Sequence, residues 1–322
     1  MEGDASEGKR GAQTQEKRNE DLLTEVAITA QPKENSDVEK NHPRGTANLE
    51  MVVNWFLKSG ERAIVALSGG VDSAVVALGA SKALGNGAIA ITADYKTLSA
   101  EELFSARQIA REIGIEHYII EYSELENQEF VKNDELRCYY CRSELGMHLV
   151  KKAKSTGIAL IVDGTNTDDL KEFRPGITAL RENGIRSPLV ELGIAKSEVR
   201  EIAKQFGLSV HDKPSNSCLA SRIPAGVIVT NERLRRIENS EIIVKRILNV
   251  RQVRVRDHGD VARIEVGRNE MTKLFDRSRL AIIDSKLKEL GFKFVSIDAK
   301  GYTAGNLVVK AESDYNHRYD ND

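Results

Sequence analysis

Ala66-Leu67-Ser68-Gly69-Gly70-Val71-Asp72-Ser73 closes an apolar run, residues 63–67, and opens a second run that carries Val75, Val76 and Leu78. The first run reads as a buried strand, the second as a helix, and Ser-Gly-Gly as the turn between them. Such a turn points several backbone N–H groups and two hydroxyls at one spot where the helix dipole is positive. A phosphate binds there. Glycine at 69 and 70 permits positive φ and lets an anion approach the backbone closely. Asp72, beside the phosphates, would hold a magnesium ion or cap the helix. The candidate nucleotide-binding residues of this stretch are therefore Ser68, Gly69, Gly70, Asp72 and Ser73. It is not a Walker loop, because no Gly-Lys-Ser or Gly-Lys-Thr follows and no lysine is placed to reach a γ-phosphate.

Working outward, strands and helices alternate: strand 63–67, helix 73–84, strand 88–93, helix 100–113, strand 117–121, helix 142–155 and strand 159–162, with a helix at 49–58 leading in. Near-continuous apolar strands between helices predict an α/β fold, a doubly wound parallel sheet with helices on both faces. Ligands of such sheets sit at the carboxyl ends of the strands, where both Ser68 and Asp163-Gly164 fall. After a helix at 195–206 and a polar loop at 211–218 come a long amphipathic helix, 231–248, strands 252–256 and 262–266, a helix at 278–290 and a last strand at 292–297. That order predicts a smaller C-terminal α+β domain. The expected organisation is a disordered tail over 1–45, a nucleotide-binding domain over 46–224, the α+β domain over 225–312 and a polar tail over 313–322.

The 322 residues hold 47 Lys and Arg against 49 Asp and Glu, a net charge of −2, so nothing in the balance calls for a nucleic-acid partner. No apolar run reaches 18 residues, which excludes a helical membrane span, and the N-terminal segment lacks the apolar core of a signal peptide. A cytoplasmic location is expected. Three cysteines, two of them in Cys138-Tyr139-Tyr140-Cys141, argue against a disulfide framework and for metal or redox chemistry.

The cysteine pair alone is ambiguous: half a zinc site, a redox dithiol, two cluster ligands or two buried small residues. Three thiolates with Cys218 would suit an iron–sulfur cube with one iron left open. Cys218 lies in Pro214-Ser215-Asn216-Ser217-Cys218-Leu219-Ala220-Ser221-Arg222, with Lys213 and Arg222 near enough in sequence to favour a thiolate, hence a nucleophile or a ligand. It also fits a buried core cysteine. Arg254 and Arg256, two apart on one predicted strand, face the same side and form a pair of forks for a phosphate or carboxylate, or else a solvated strand face. Arg174, before Pro175-Gly176, would cover nucleotide phosphates. Glu238 and Glu241, about one helical turn apart, read as a charged helix surface before they read as metal ligands.

These residues carry a resemblance. Ser68–Ser73 resembles the PP-loop of ATP pyrophosphatases, which split ATP between the α and β phosphates. Over about residues 49–309 the chain resembles the LarE-type sulfur transferases. The stretches that carry this are Ser68–Ser73, residues 163–169, Arg174-Pro175-Gly176, Arg186-Ser187-Pro188-Leu189, residues 218–222 and residues 254–260. The resemblance implies an adenine nucleotide alpha hydrolase-like fold, use of ATP and Mg2+, and a nucleotide-like small-molecule substrate, pyridinium-3,5-biscarboxylic acid mononucleotide. Its carboxylate would be adenylated and then attacked by sulfur, giving a thiocarboxylate and AMP. Cofactor contacts then fall to the Ser68–Ser73 loop, Gly164 and Arg174, and catalytic roles to Cys218, Arg254 and Arg256.

In the simplest relatives the cysteine equivalent to Cys218 gives up its own sulfur. Three-cysteine members resemble cluster enzymes, which implies a 4Fe-4S cluster on Cys138, Cys141 and Cys218 that takes sulfide or another sulfur donor and passes it on. The cluster route is favoured because Cys138 and Cys141 otherwise lack a role. A homo-oligomer is also implied. Competing readings are a PP-loop tRNA thiolase, supported by the basic excess between Asn231 and Arg268, an ammonia-dependent synthetase, which has no need of the cysteines, and a nucleotide-binding sensor.

Overall fold

The computed structural model describes residues 46–171 and 174–303; the tails expected over 1–45 and 313–322 lie outside the described residues. Two compact units divide the chain. The first runs to Tyr95, returns at Ala100–Glu124 and again at Leu136–Lys213, while the second takes Lys96–Ser99, Leu125–Glu135 and the chain from Pro214 onward.

In the first unit α1 (Thr46–Ser59) leads into β1 (Ala63–Ala66), followed by α2 (Val71–Leu84), β2 (Ala88–Asp94), α3 (Ala100–Ile113), β3 (Glu116–Glu121), α4 (Arg137–Thr156), β4 (Leu160–Val162), α5 (Pro175–Glu182) and α6 (Lys196–Gln205). Among the described residues its sheet has four strands in the order β3-β2-β1-β4, all parallel, with Ala63 beside Ala88 on one side and Leu160 on the other. Successive strand residues point to opposite faces. Ala63, Val65, Ala88, Ala90 and Val162 accordingly join one core with Val52, Phe56, Val75 and Ile202. Ile64, Ile89, Ile91 and Ile161 join the other, with Leu145, Leu149 and Leu180. Burial on both faces is why these strands read as unbroken apolar runs, and the doubly wound parallel sheet expected from them is present.

Two helix starts differ from the sequence reading in ways that bear on function. Helix α2 begins at Val71 rather than Ser73, because Gly70 is its N-cap and the Ala74 N–H closes the first turn on the Gly70 carbonyl at 3.1 Å. Asp72 thus lies inside that turn. Helix α4 begins at Arg137 rather than 142, the Tyr140 N–H reaching the Leu136 carbonyl at 3.1 Å, so both cysteines of the pair ride on a helix. Tyrosines and cysteines are poor helix formers, and here the buried Leu136, Leu145 and Leu149 override that preference.

The second unit holds α7 (Asn231–Leu248), β5 (Val253–His258), β6 (Val261–Val266), α8 (Arg277–Glu289) and β7 (Phe294–Ile297). Strand β5 pairs antiparallel with β6, and β6 pairs parallel with β7. Val244, Leu248, Val255, Ile264, Val266, Ile283 and Leu287 form its core between helices and sheet. Thr230 caps α7 by accepting the Arg233 N–H, and Asn249 ends it in the left-handed conformation, φ 52°. Among the described residues no helix is long and apolar enough to cross a membrane.

Candidate active site

The strand order places β1 beside β4 with the chain running outward to either side, so the crevice at their carboxyl ends is the topological switch point of the sheet. The Ser68–Ser73 loop lies there. The Ser68 N–H donates to Ser73 Oγ at 3.1 Å, Ser73 Oγ donates to the Gly70 carbonyl at 3.1 Å, and the two serine hydroxyls stand 3.1 Å apart. Gly69 takes φ +80°, and a Cβ there would meet the Glu102 carbonyl oxygen at 2.4 Å. Only glycine fits both demands. The Gly69 carbonyl accepts from Ser105 Oγ and from Lys213 Nζ, each at 3.0 Å, and Lys213 also pairs with Glu102 at 3.0 Å. Lys213, read from sequence as a neighbour of Cys218, is therefore a tether of the loop. Thr92 adds a second brace, donating to the Leu67 carbonyl at 2.7 Å while meeting His117 Nε2 at 2.8 Å.

Gly164, just beyond β4, is a wall of the same site: a Cβ there would fall 2.5 Å from the Ser73 nitrogen and 2.7 Å from its Cα. The two distant pieces of sequence therefore converge. Asn166 donates from Nδ2 to Asp72 Oδ1 at 3.2 Å, and Lys196, the first residue of α6, forms an ion pair with Asp72 Oδ2. Burial pushes the Asp72 carboxyl above its usual range, Lys196 opposes the rise, and Asp169 adds to it. Asp169 accepts the Asn166 N–H at 3.1 Å and pairs with Arg174 at 2.8 Å, so Arg174 reaches the edge of this cluster while staying half-exposed. Asp72 and Asp169 supply hard oxygen donors of the kind Mg2+ takes alongside substrate phosphates. Lys196 was missed in the sequence because nothing marks a lysine some 120 positions away as the partner of Asp72.

Cys138 is exposed and Cys141 buried, one turn apart on α4, and Arg137 Nη2 lies 3.8 Å from Cys138 Sγ. The next residue, Arg142, is half-buried near Tyr95, Cys141, Asp163 and Tyr122; desolvation pushes its guanidinium down, but the charges of these neighbours hold it above its ordinary value. Tyr122 stacks between Tyr95 and His148, with centroids 5.7 and 4.3 Å away, and its buried hydroxyl makes no hydrogen bond among the described residues. Arg142 is a cation at the carboxyl end of β4 that the sequence reading passed over, although it directly follows the cysteine pair.

In the second unit Cys218 is half-buried, and the Leu219 N–H after it donates to the Thr97 carbonyl at 2.9 Å. Arg222 is fully buried inside the cysteine loop. It donates to the carbonyls of Ser217 and Cys218 at 2.6 and 2.9 Å, to Asn216 Oδ1 at 3.0 Å, and as a fork to Glu241 at 2.8 and 3.1 Å. Its charge is thus spent on the loop carbonyls and Glu241. Glu241 also accepts the Val255 N–H at 3.0 Å, which makes it the counter-ion of a buried arginine rather than part of an exposed charged surface. Within either unit, no three His, Cys, Asp or Glu side chains among the described residues are grouped as a metal site.

Arg254 and Arg256 are each only 5% exposed, so neither belongs to a solvated strand face. Arg256 grips Glu265 as a fork at 3.0 and 2.8 Å and donates to the Ser221 carbonyl at 2.8 Å. Arg254 donates to the carbonyls of Val253 and Ser215 at 2.6 and 2.8 Å, lies over the Tyr302 ring, and leaves its buried Nε without a partner among the described residues. Burial and then Arg222 push the Arg254 guanidinium down from its ordinary value. One arginine is neutralised by a carboxylate and the other is not.

A parallel sheet whose first strand runs through Ser-Gly-Gly into a helix at the switch point defines a PP-loop ATP-using protein. Comparison agrees: the family described as Queuosine biosynthesis protein QueC matches residues 62–135. An uncharacterised protein of Synechocystis sp. is 42% identical over 247 residues, 77% of this chain and 92% of that one. The pyridinium-3,5-bisthiocarboxylic acid mononucleotide synthase of Lactiplantibacillus plantarum is 31% identical over 257 residues, 78% of this chain and 90% of that one. A tRNA-specific 2-thiouridylase, MnmA, of Rickettsia peacockii is 25% identical over 191 residues, 48% of this chain and 52% of that one. The chain belongs to the LarE-type family of pyridinium-3,5-bisthiocarboxylic acid mononucleotide synthases, and it is an ATP-dependent sulfur-transferring enzyme.

Proposed function

We propose that this protein adenylates a carboxylate of pyridinium-3,5-biscarboxylic acid mononucleotide with ATP and converts it to a thiocarboxylate. The observation that carries this reading is the Ser68–Ser73 loop at the sheet's switch point, in a chain similar over 78% of its length to the Lactiplantibacillus plantarum synthase, 90% of which it covers. A carboxylate is a poor acyl donor because oxide is a poor leaving group; the mixed anhydride with AMP solves that. The N–H groups of the loop and of the first turn of α2 receive the phosphates, Asp72 with Asp169 nearby would hold Mg2+, and Arg174 closes over the nucleotide. A carboxylate oxygen attacks the α-phosphorus and pyrophosphate departs. Sulfur then attacks the acyl carbon, the C–S bond forms, and the electron pair of the C–O bond leaves on AMP. Arg254, whose Nε has no partner among the described residues, supplies positive field for the anionic substrate, and Arg256, its charge matched by Glu265, holds the strand beside it.

Cys138 and Cys141, one helical turn apart, are read with Cys218 as the three thiolates that would hold a 4Fe-4S cube with one open iron, and such a cube would supply bound sulfide for repeated turnover. A cytoplasmic enzyme that assembles as a homo-oligomer completes the reading. The test is iron, acid-labile sulfide and turnover of protein prepared without oxygen, beside Cys138→Ala and Cys141→Ala. Expected are substrate-dependent pyrophosphate release and several thiocarboxylates per chain, with both variants losing iron and making at most one. Unchanged iron and turnover in the variants would sink the cluster route. Absence of pyrophosphate release with this substrate, and release with tRNA instead, would overturn the substrate assignment.

A further inference from the structure

The loop that follows Cys218 is held from behind by one residue that nothing above assigns. Asn133 is 1% exposed and takes a left-handed φ of 59°, one of two non-glycine residues to do so among those described. Asparagine tolerates that conformation better than most residues, yet it still costs about 1 kcal/mol. The side chain shows what the conformation serves. Its Nδ2 donates to the carbonyls of Pro224 and Val227 at 2.8 and 2.9 Å, with the Ile223 carbonyl third at 3.4 Å. Its backbone carbonyl accepts the Gly226 N–H at 2.9 Å, and two residues earlier the Val131 carbonyl accepts the Val229 N–H at 3.0 Å. Residues 131–133 and 223–229 are therefore stitched together along both backbones. Without Nδ2 the Pro224 carbonyl would keep, among the described residues, only the Val227 N–H at 3.1 Å, and the Val227 and Ile223 carbonyls would each lose a donor in a part-buried setting.

The stitched loop is the continuation of the sulfur-handling segment. Cys218 is the N-cap of the single 3-10 turn Leu219–Arg222, and Ile223 ends that turn. Arg222 fixes the turn from within, and Asn133 fixes the chain immediately after it. Attack of sulfur on an acyl carbon tolerates little misplacement, an error near 1 Å costing roughly a hundredfold.

We propose that Asn133 is a positioning residue for sulfur transfer, holding the Cys218 loop in register for the acyl adenylate while taking no part in the adenylation step. The proposal rests on the reading of Cys218 as a sulfur-handling residue. The test compares full-length Asn133→Gly, which accepts the left-handed φ but lacks the donors, with Asn133→Asp, which keeps the size but turns a carboxylate onto the loop carbonyls. Pyrophosphate release, thiocarboxylate formed per pyrophosphate, and backbone hydrogen exchange over residues 215–227 and 62–80 are measured. Expected are pyrophosphate release within about twofold of wild type, a roughly tenfold or greater fall in product per pyrophosphate, and faster exchange confined to 215–227. If Asn133→Asp does not fold, Asn133→Gly carries the test. An unchanged product ratio, unchanged exchange over 215–227, or a uniform rise in exchange across the chain would each overturn the proposal. Should wild type release no pyrophosphate with the proposed substrate, the functional reading fails, and the exchange comparison alone decides the role of Asn133.

Discussion

The two loops proposed to carry the chemistry are held by opposite means. The Ser68–Ser73 loop is shaped by glycine, serine hydroxyls and backbone, and its charged braces, Lys213 with Glu102 and Lys196 with Asp72, attach from outside. The Cys218 loop is shaped from inside by a guanidinium: the five N–H groups of the buried Arg222 make seven hydrogen-bond contacts, some of them shared. A backbone-built loop depends on conformational freedom at single positions. A loop built on a buried ion pair depends on charge, because removing one partner strands the other.

The largest effect should follow from that second dependence. Arg222→Met leaves the Glu241 carboxylate largely buried without its counter-charge and strips donors from the carbonyls of Ser217 and Cys218. A loss of about 3–5 kcal/mol is expected, enough to consume much of the stability of a typical domain. Urea denaturation followed by circular dichroism should show the midpoint collapse, with Arg222→Lys falling by less because it keeps the charge and loses only the fork. A midpoint within experimental scatter of wild type would mean that the loop does not depend on the buried pair.

The backbone-built loop should fail differently. Gly69→Ala meets a positive φ and a carbonyl oxygen at 2.4 Å, so the loop must shift. Stability should fall by about 1–3 kcal/mol, while pyrophosphate release falls by about a hundredfold or more. Gly70→Ala is the internal control: φ there is −96° and the nearest atom to a Cβ is Ser68 Oγ at 3.5 Å, so release should stay within about threefold of wild type. Equal loss in the two variants would show that the contrast between the glycines is not what shapes the site.

The same contrast governs what could be read without a structure. Glycines, a strand and a helix start lie in one short stretch, so the phosphate loop was legible, and burial on both faces, which makes the strands unbroken apolar runs, made the parallel sheet legible with it. Arg222, Arg254 and Arg256 were not legible as core. Arginine is usually solvated, and it takes Glu241 for Arg222, Glu265 for Arg256, and two carbonyls with the Tyr302 ring for Arg254 to explain the burial here. The helix start at Arg137 was lost for a related reason, since tertiary contacts of Leu136 and Leu145 outweigh local propensity. Lys196 and Lys213 are the sharper omissions. Their partners lie more than 100 positions away, and no local pattern announces a pairing of that length.

Lys196 allows the most discriminating test of the phosphate loop. Burial raises the Asp72 carboxyl and Lys196 opposes that rise, so Lys196→Met should let burial act with less opposition and move the carboxyl further up. A carboxyl raised in the folded state binds its proton more tightly there than in the unfolded chain. Its contribution to stability is therefore full below the unfolded value and is lost as pH rises through the folded one. The stability deficit of Lys196→Met should accordingly be larger at pH 8 than at pH 4, and the acid limb of pyrophosphate release should shift to higher pH, because Asp72 must be ionised to hold a cation. Urea midpoints at the two pH values and the pH profile of release measure both. Adding Asp72→Asn should erase the pH dependence of the stability deficit. If the deficit is the same at both values, or survives Asp72→Asn, Lys196 acts through α6 packing and not through the carboxylate.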